Sequence, residues 1–284
     1  MSRLWERHAA PILFILPSLA GFMVFFIGPY FYSIGYALTD KPVNGAYVGL
    51  RNFTGLLANT SYLKGVQNTV LFIGVSLPLS LALALTAALL INKAKSGRKL
   101  ITLMFLVPLV LPSGSTVFFW KSFFSLQGYL NRIVVTFSEA PVNWLDTDAA
   151  RWVIIIIFIW KSLGYNIVLF ISALCGIPEE FYEAASLDGA GGVKKLARIT
   201  LPCLAPAFLL VIIMTLINSF KVFREIFVLT GGYPHESIYM MQHFMNNMFS
   251  RLDYQKLTAA TYILVLVIGT ATQGLFWAER KVSA

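Results

Sequence analysis

The sequence predicts an all-α, polytopic membrane protein with six transmembrane helices, forming a single transmembrane domain over 1–284. Three observations lead there. The chain is 57% hydrophobic and 12% charged, whereas soluble proteins carry about a quarter charged residues. Six apolar runs each approach the roughly 20 residues that cross a bilayer's hydrocarbon core. The net charge of +9 forms no basic tract interleaved with aromatics, so it fits membrane-loop charge rather than nucleic-acid binding.

Each run has its own signature. The first, about 11–38, is flanked by Arg3 and Arg7. It is too long for a secretory leader, and no small-residue cleavage site precedes the next charge. The others are about 66–92, 100–120, 152–175, 203–228 and 257–278, and Lys161 interrupts the fourth. The short connection carrying Lys93, Lys95, Arg98 and Lys99 is the densest in positive charge, which predicts that it faces the cytoplasm. Both termini then lie inside, as does the loop 177–202. The longer outer stretches contain two amphipathic pieces, 129–137 and 240–249, expected as surface helices. Gly231-Gly232-Tyr233-Pro234 is a turn signal. Cys175 and Cys203 are expected as small buried residues without a disulfide. His8, His235 and His243 are scattered, with no HExxH spacing and hence no metal site.

Polar groups inside a bilayer are costly and face a partner helix or a watery path. The fourth run carries Lys161, with Tyr165 on the same face four residues on and Asn166 beside it. The fifth carries Asn218, Ser219 and Lys221, followed by Arg224 and Glu225 toward its outer end. Amide and hydroxyl groups near Trp160, Phe220 and Phe223 suit a sugar, whose hydroxyls hydrogen-bond while its C–H faces stack. Interhelical bridging by Asn218 and Ser219, with snorkelling by Lys221, is the plainer alternative.

The loop 177–202 is a small helical knob. Ile177 precedes a proline and ends the fourth span. Pro178 opens a helix whose first turn holds Glu179 and Glu180, favourable to its dipole. Phe181, Ala184, Ala185 and Asp188 share a face. Gly189 stands where a helix C-terminal glycine is expected. A second short helix, about 193–199, is expected to stop before Pro202.

These residues carry a family resemblance. Glu183-Ala184-Ala185, then Asp188-Gly189, then Ile199, Leu201 and Pro202 resemble the EAA loop of permease subunits in binding-protein-dependent ABC importers. Tyr47 to Phe53, Asn68-Thr69, Pro108, Gly128 to Asn131 and Trp160-Lys161 extend the likeness over nearly the whole chain. The combination is similar to the carbohydrate uptake branch, of the maltose and glycerol-3-phosphate type.

The resemblance implies a division of labour. Glu183, Ala184, Ala185, Asp188, Gly189, Ile199, Leu201 and Pro202 would couple to an ATPase. Lys161, Tyr165, Asn166, Asn218, Ser219 and Lys221 would border the solute path. The implied partners are a second, homologous permease, two ATPase subunits, an extracytoplasmic solute-binding protein and the lipid of a prokaryotic inner membrane. No GxxxxGK[ST] loop occurs, so no cofactor is expected on this chain; ATP and Mg belong to the ATPase. The expected function is a non-enzymatic permease subunit for a sugar or oligosaccharide. A permease for glycerol-3-phosphate or a polyol is the alternative, since Lys161 and Lys221 suit an anion. A membrane-embedded enzyme is the distant one, with no supporting motif.

Overall fold

The computed structural model describes residues 13–94, 96–137 and 140–283. Arg3, Arg7, His8, Lys95, the start of the first run and the side chain of Lys281 lie outside the described residues.

Five described helices are long and apolar enough to cross a membrane: Leu13–Leu38, Thr60–Lys93, Ala150–Cys175, Ala205–Thr230 and Tyr254–Ala278. A bent pair, Arg98–Val110 and Ser113–Phe137, makes a sixth if counted as one span. The third run therefore differs from the unbroken stretch 100–120 expected above: its halves meet at 96°. Leu111 precedes Pro112 and is extended, with ψ at 130°, because the proline ring excludes the α region from the residue before it. The fifth span is interrupted at Val222, between Ala205–Lys221 and Phe223–Thr230.

Two compact units are distinguished. The smaller comprises the described part of Met1–Thr60 together with Met245–Leu266. Within it, the Tyr262 hydroxyl donates to the carbonyl of Tyr30, and Asn52 donates to the carbonyls of Ala37 and Thr39, both at 2.9 Å. The larger comprises Ser61–Phe244 and Val267–Ala284. Its centre is the fourth span, Ala150–Cys175, half buried and the most enclosed of the five.

Two apolar clusters grip that helix. One surrounds Val153 to Ile159 with Phe72, Val117, Trp120, Phe124, Ile226 and Leu229. The other surrounds Ile167, Phe170 and Leu174 with Ala84, Ala88, Leu204 and Val211. Lys161, Ser162, Tyr165 and Asn166 fall between them, so the fold brackets a polar layer with two dry ones. Gly164 lies in this layer, with its Cα pressed against the backbone of Phe105 in the third span.

Two helices carry π turns, at Met23–Ile27 and Leu196–Thr200. Each closes just ahead of a proline, Pro29 or Pro202. The wider i→i+5 turn relieves the carbonyl clash and the missing N–H that proline brings to an α-helix. The second of these corrects the expectation that the knob's second helix ends before Pro202. Helical backbone continues from Gly192 through Cys203.

Candidate functional site

The polar layer opens on a cavity of about 180 Å³. Its wall is Leu109 from the third span, Ile157, Phe158, Lys161, Ser162 and Tyr165 from the fourth, and Asn218, Lys221, Val222 and Glu225 from the fifth. Four of the six residues expected along a solute path thus border one space: Lys161, Tyr165, Asn218 and Lys221. Tyr165 and Asn218 are half-buried and Lys221 is exposed. The Lys221 ammonium donates to Asn218 Oδ1 at 3.2 Å.

Asn166 and Ser219 are elsewhere. Asn166 is 1% exposed. Its amide donates to Ser80 Oγ and Thr215 Oγ1, both at 3.1 Å, tying the second, fourth and fifth spans together. Ser80 in turn meets Ser162 at 3.3 Å. Ser219 is buried and donates to the carbonyl of Leu216 in its own helix. Both satisfy polar groups within the packed interior, where an unpaired one is costly. The aromatic expectation shifts as well. Trp160 packs on Trp120 and Phe119, and Phe223 packs on His243. The rings that reach the cavity are those of Phe158 and Tyr165.

One further charged group joins this wall beyond the six residues expected along the path. Glu225, expected toward the outer end of its run, is buried and forms an ion pair with Lys161. Ser113 sits at the start of the helix beyond the third-span bend and donates to the same carboxylate oxygen, Oε1, at 3.0 Å. Lys161 also reaches Ser113 Oγ at 3.4 Å. Three helix segments, two of them beginning at a break, converge on this knot. The available signal was an acid within an apolar run, which requires a partner; Lys161 is the cation within the neighbouring one.

The knob is built by local rules. Pro178 is the N-cap of Glu179–Leu187, and Glu179 and Glu180 occupy the first turn. The helix ends in a Schellman motif: Ala190 N–H donates to the Ala185 carbonyl and Gly189 N–H to that of Ser186. Gly189 has φ +72°, in the left-handed region glycine favours. The two limbs are braced by the Tyr182 hydroxyl against Thr200 Oγ1 at 3.0 Å and by Lys195 donating to Ser186. Glu183, Ala184, Asp188 and Gly189 are exposed and Ala185 half so. Leu187 is 90% exposed and Val193 83%. On the second limb, Leu201 and Pro202 are exposed and Ile199 is half-buried.

The cysteines depart from expectation. Cys175 and Cys203 are free and exposed. Cys175 closes the fourth span, where Arg98 donates to its sulfur at 2.8 Å.

Outside the spans, His243 is fully buried. Its Nδ1 accepts the Met240 N–H at 3.1 Å, and burial holds its pKa down at about 4.

Comparison with known proteins places this architecture. Residues 76–278 match the family described as binding-protein-dependent transport system inner membrane component. The trehalose/maltose transport system permease protein of Thermococcus litoralis is 32% identical over 263 residues, covering 89% of each chain. The lactose transport system permease protein of Rhizobium radiobacter is 29% identical, over 95% of this chain and 93% of that one. A sn-glycerol-3-phosphate transport system permease protein of Yersinia pestis is 27% identical, over 96% and 95%. A bacterial ABC transporter that imports the acidic polysaccharide alginate contains a chain of the same fold. Its TM-score is 0.86, its identity 23%, and the match covers 99% of this chain and all of that one. Family match and relatives agree: the chain belongs to the inner-membrane components of binding-protein-dependent transport systems, and is a multi-span transporter subunit rather than an enzyme.

Proposed function

We propose that this chain is the permease subunit of an ATP-driven sugar importer in a prokaryotic inner membrane, and that the knob receives the work of ATP hydrolysis. The observation that carries this reading is the knob itself: a rigidly capped helix-turn-helix that leaves Leu187 and Val193 bare to solvent. Exposed apolar side chains on a segment outside the spans are what a docking surface would present. Glu183, Ala184, Ala185, Asp188 and Gly189 form the docking face, with Ile199, Leu201 and Pro202 on the return limb.

The assembly has four further members. A second, homologous permease completes the path, and two ATPase subunits bind ATP and Mg and grip the knobs. An extracytoplasmic protein delivers solute to the outer loops. Both termini and the knob face the cytoplasm. Closure of the ATPase pair moves the knobs and turns the path outward, and release of ATP products resets it, a two-state cycle biased by nucleotide. Lys161, Tyr165, Asn218 and Lys221 border the path. The Tyr165 phenol, the Asn218 amide and the Phe158 ring on one wall suit a sugar, in keeping with the solutes named for the trehalose/maltose and lactose relatives.

Gly189 supplies the test. A Cβ there meets nothing within 4 Å, so only backbone conformation restricts the position. Gly189→Asn tolerates the left-handed backbone, whereas Gly189→Val strains it by about 1–2 kcal/mol. Gly189→Val is expected to stay in the membrane and lose solute uptake and ATPase capture, while Gly189→Asn keeps both. Normal uptake by the valine variant would overturn the coupling role.

A further inference from the structure

Two cations border the cavity, Lys161 and Lys221, together with a single acid, Glu225. Two ammonium groups facing one small space would favour an anion. Glu225 prevents that by holding Lys161 in an ion pair whose side chains are only 24% and 8% exposed. Ser113 holds the carboxylate from the other side, fixing the pair in place. Lys221 is exposed and donates to Asn218 Oδ1 at 3.2 Å. Arg224, next in sequence to Glu225, is exposed and is not part of the cavity wall.

Resting on the reading of this cavity as the solute path, we propose that Glu225 sets the charge class of the transported solute. By neutralising Lys161 it makes the path one for uncharged, hydroxyl-rich solutes and rejects phosphorylated or carboxylated ones. Its Oε1 is occupied by Ser113 and Lys161. Its Oε2 has no hydrogen-bond partner among the described residues and accepts a solute hydroxyl. The Tyr165 phenol and the Asn218 amide complete a wall of acceptors and donors beside the Phe158 ring.

The test uses the assembled transporter in lipid nanodiscs, titrated calorimetrically with maltose, trehalose and lactose as neutral probes. The anionic probe is sn-glycerol 3-phosphate, at low and high salt. The wild type is expected to prefer a neutral probe. Glu225→Gln keeps an acceptor for Ser113 and releases the Lys161 charge. It should gain affinity for the anionic probe by about tenfold or more, a gain that salt suppresses. Lys161→Gln combined with Glu225→Gln should abolish the gain.

A wild type that binds sn-glycerol 3-phosphate in preference to the sugars overturns the proposal, whether or not the Gln variant assembles. So does a folded Glu225→Gln with no gain. Tyr165→Ala and Asn218→Ala separate this from the parent reading. If neither changes sugar uptake, the cavity is not the path. If both impair uptake while Glu225→Gln gains nothing, only the charge assignment fails.

Discussion

Adding one methyl group at Gly164 should prise the third and fourth spans apart. A Cβ there would lie 1.9 Å from the carbonyl oxygen of Phe105, 2.5 Å from its carbon and 3.0 Å from the nitrogen of Leu106. All three are backbone atoms, so no side chain can rotate away. The helices must separate by about 1 Å, and a gap of that size forfeits a quarter to a half of each atom contact it opens. With on the order of 30 contacts of 0.1–0.2 kcal/mol each, the loss is about 1–3 kcal/mol. Overpacking in well-filled cores costs a similar ~1–3 kcal/mol. Gly74→Ala is the control, because a Cβ at that helical position meets nothing within 4 Å. Thermal unfolding of the purified permease should show Gly164→Ala melting several degrees below Gly74→Ala. Adding Phe105→Ala should not restore it, since the obstacle is a main-chain carbonyl. Equal melting of the two glycine variants would refute the close-packing argument. Because Tyr165 is the next residue, impaired solute uptake should accompany the loss.

Two predictions concern the segment before the Met241–Ser250 helix. Asn68, 3% exposed, donates to the carbonyls of Glu236 and Tyr239 at 2.7 and 2.9 Å. Asn68→Ala removes both hydrogen bonds, at about 1–3 kcal/mol together; hydrogen exchange should rise across 236–243, and unchanged protection would count against this anchor. His243 binds protons less readily folded, at about pKa 4, than unfolded, at about 6.5. The unfolded state therefore takes up more protons below pH 6.5, and stability falls as pH drops through the window from 6.5 to 4. The loss is about 2 kcal/mol at pH 5. His243→Asn, which keeps an acceptor for the Met240 N–H, should flatten the pH dependence of melting; an unaltered slope would remove His243 as its source.

How legible the chain was depends on distance. The knob follows from neighbours in sequence: a proline at the N-cap, acids in the first turn, glycine at the reversal. Such rules act within a turn or two, and they located Gly189 correctly. The cavity wall depends instead on helical phase. Tyr165 and Lys161 share the cavity because both lie on one uninterrupted α-helix, as spacing implied. Asn166 and Ser219, each adjacent to a residue on that wall, turn into the packing because one step along a helix is about 100° of rotation. Glu225 was read as lying toward the outer end of its run, without the Lys161 partner that the structure gives it. Its pairing with Lys161 is a contact between two different spans, and composition carries no trace of that.

The π turn at Leu196–Thr200 acts as an angular gear between knob and membrane. One additional residue in a turn rotates whatever follows by about 100° relative to what precedes it. The azimuth of the proposed docking face relative to the fifth span is therefore written partly in those five residues. Deleting Ala197 would leave every side chain of the proposed docking face intact and still point the handle the wrong way. Sequence comparison of the docking residues alone would never reveal such a loss.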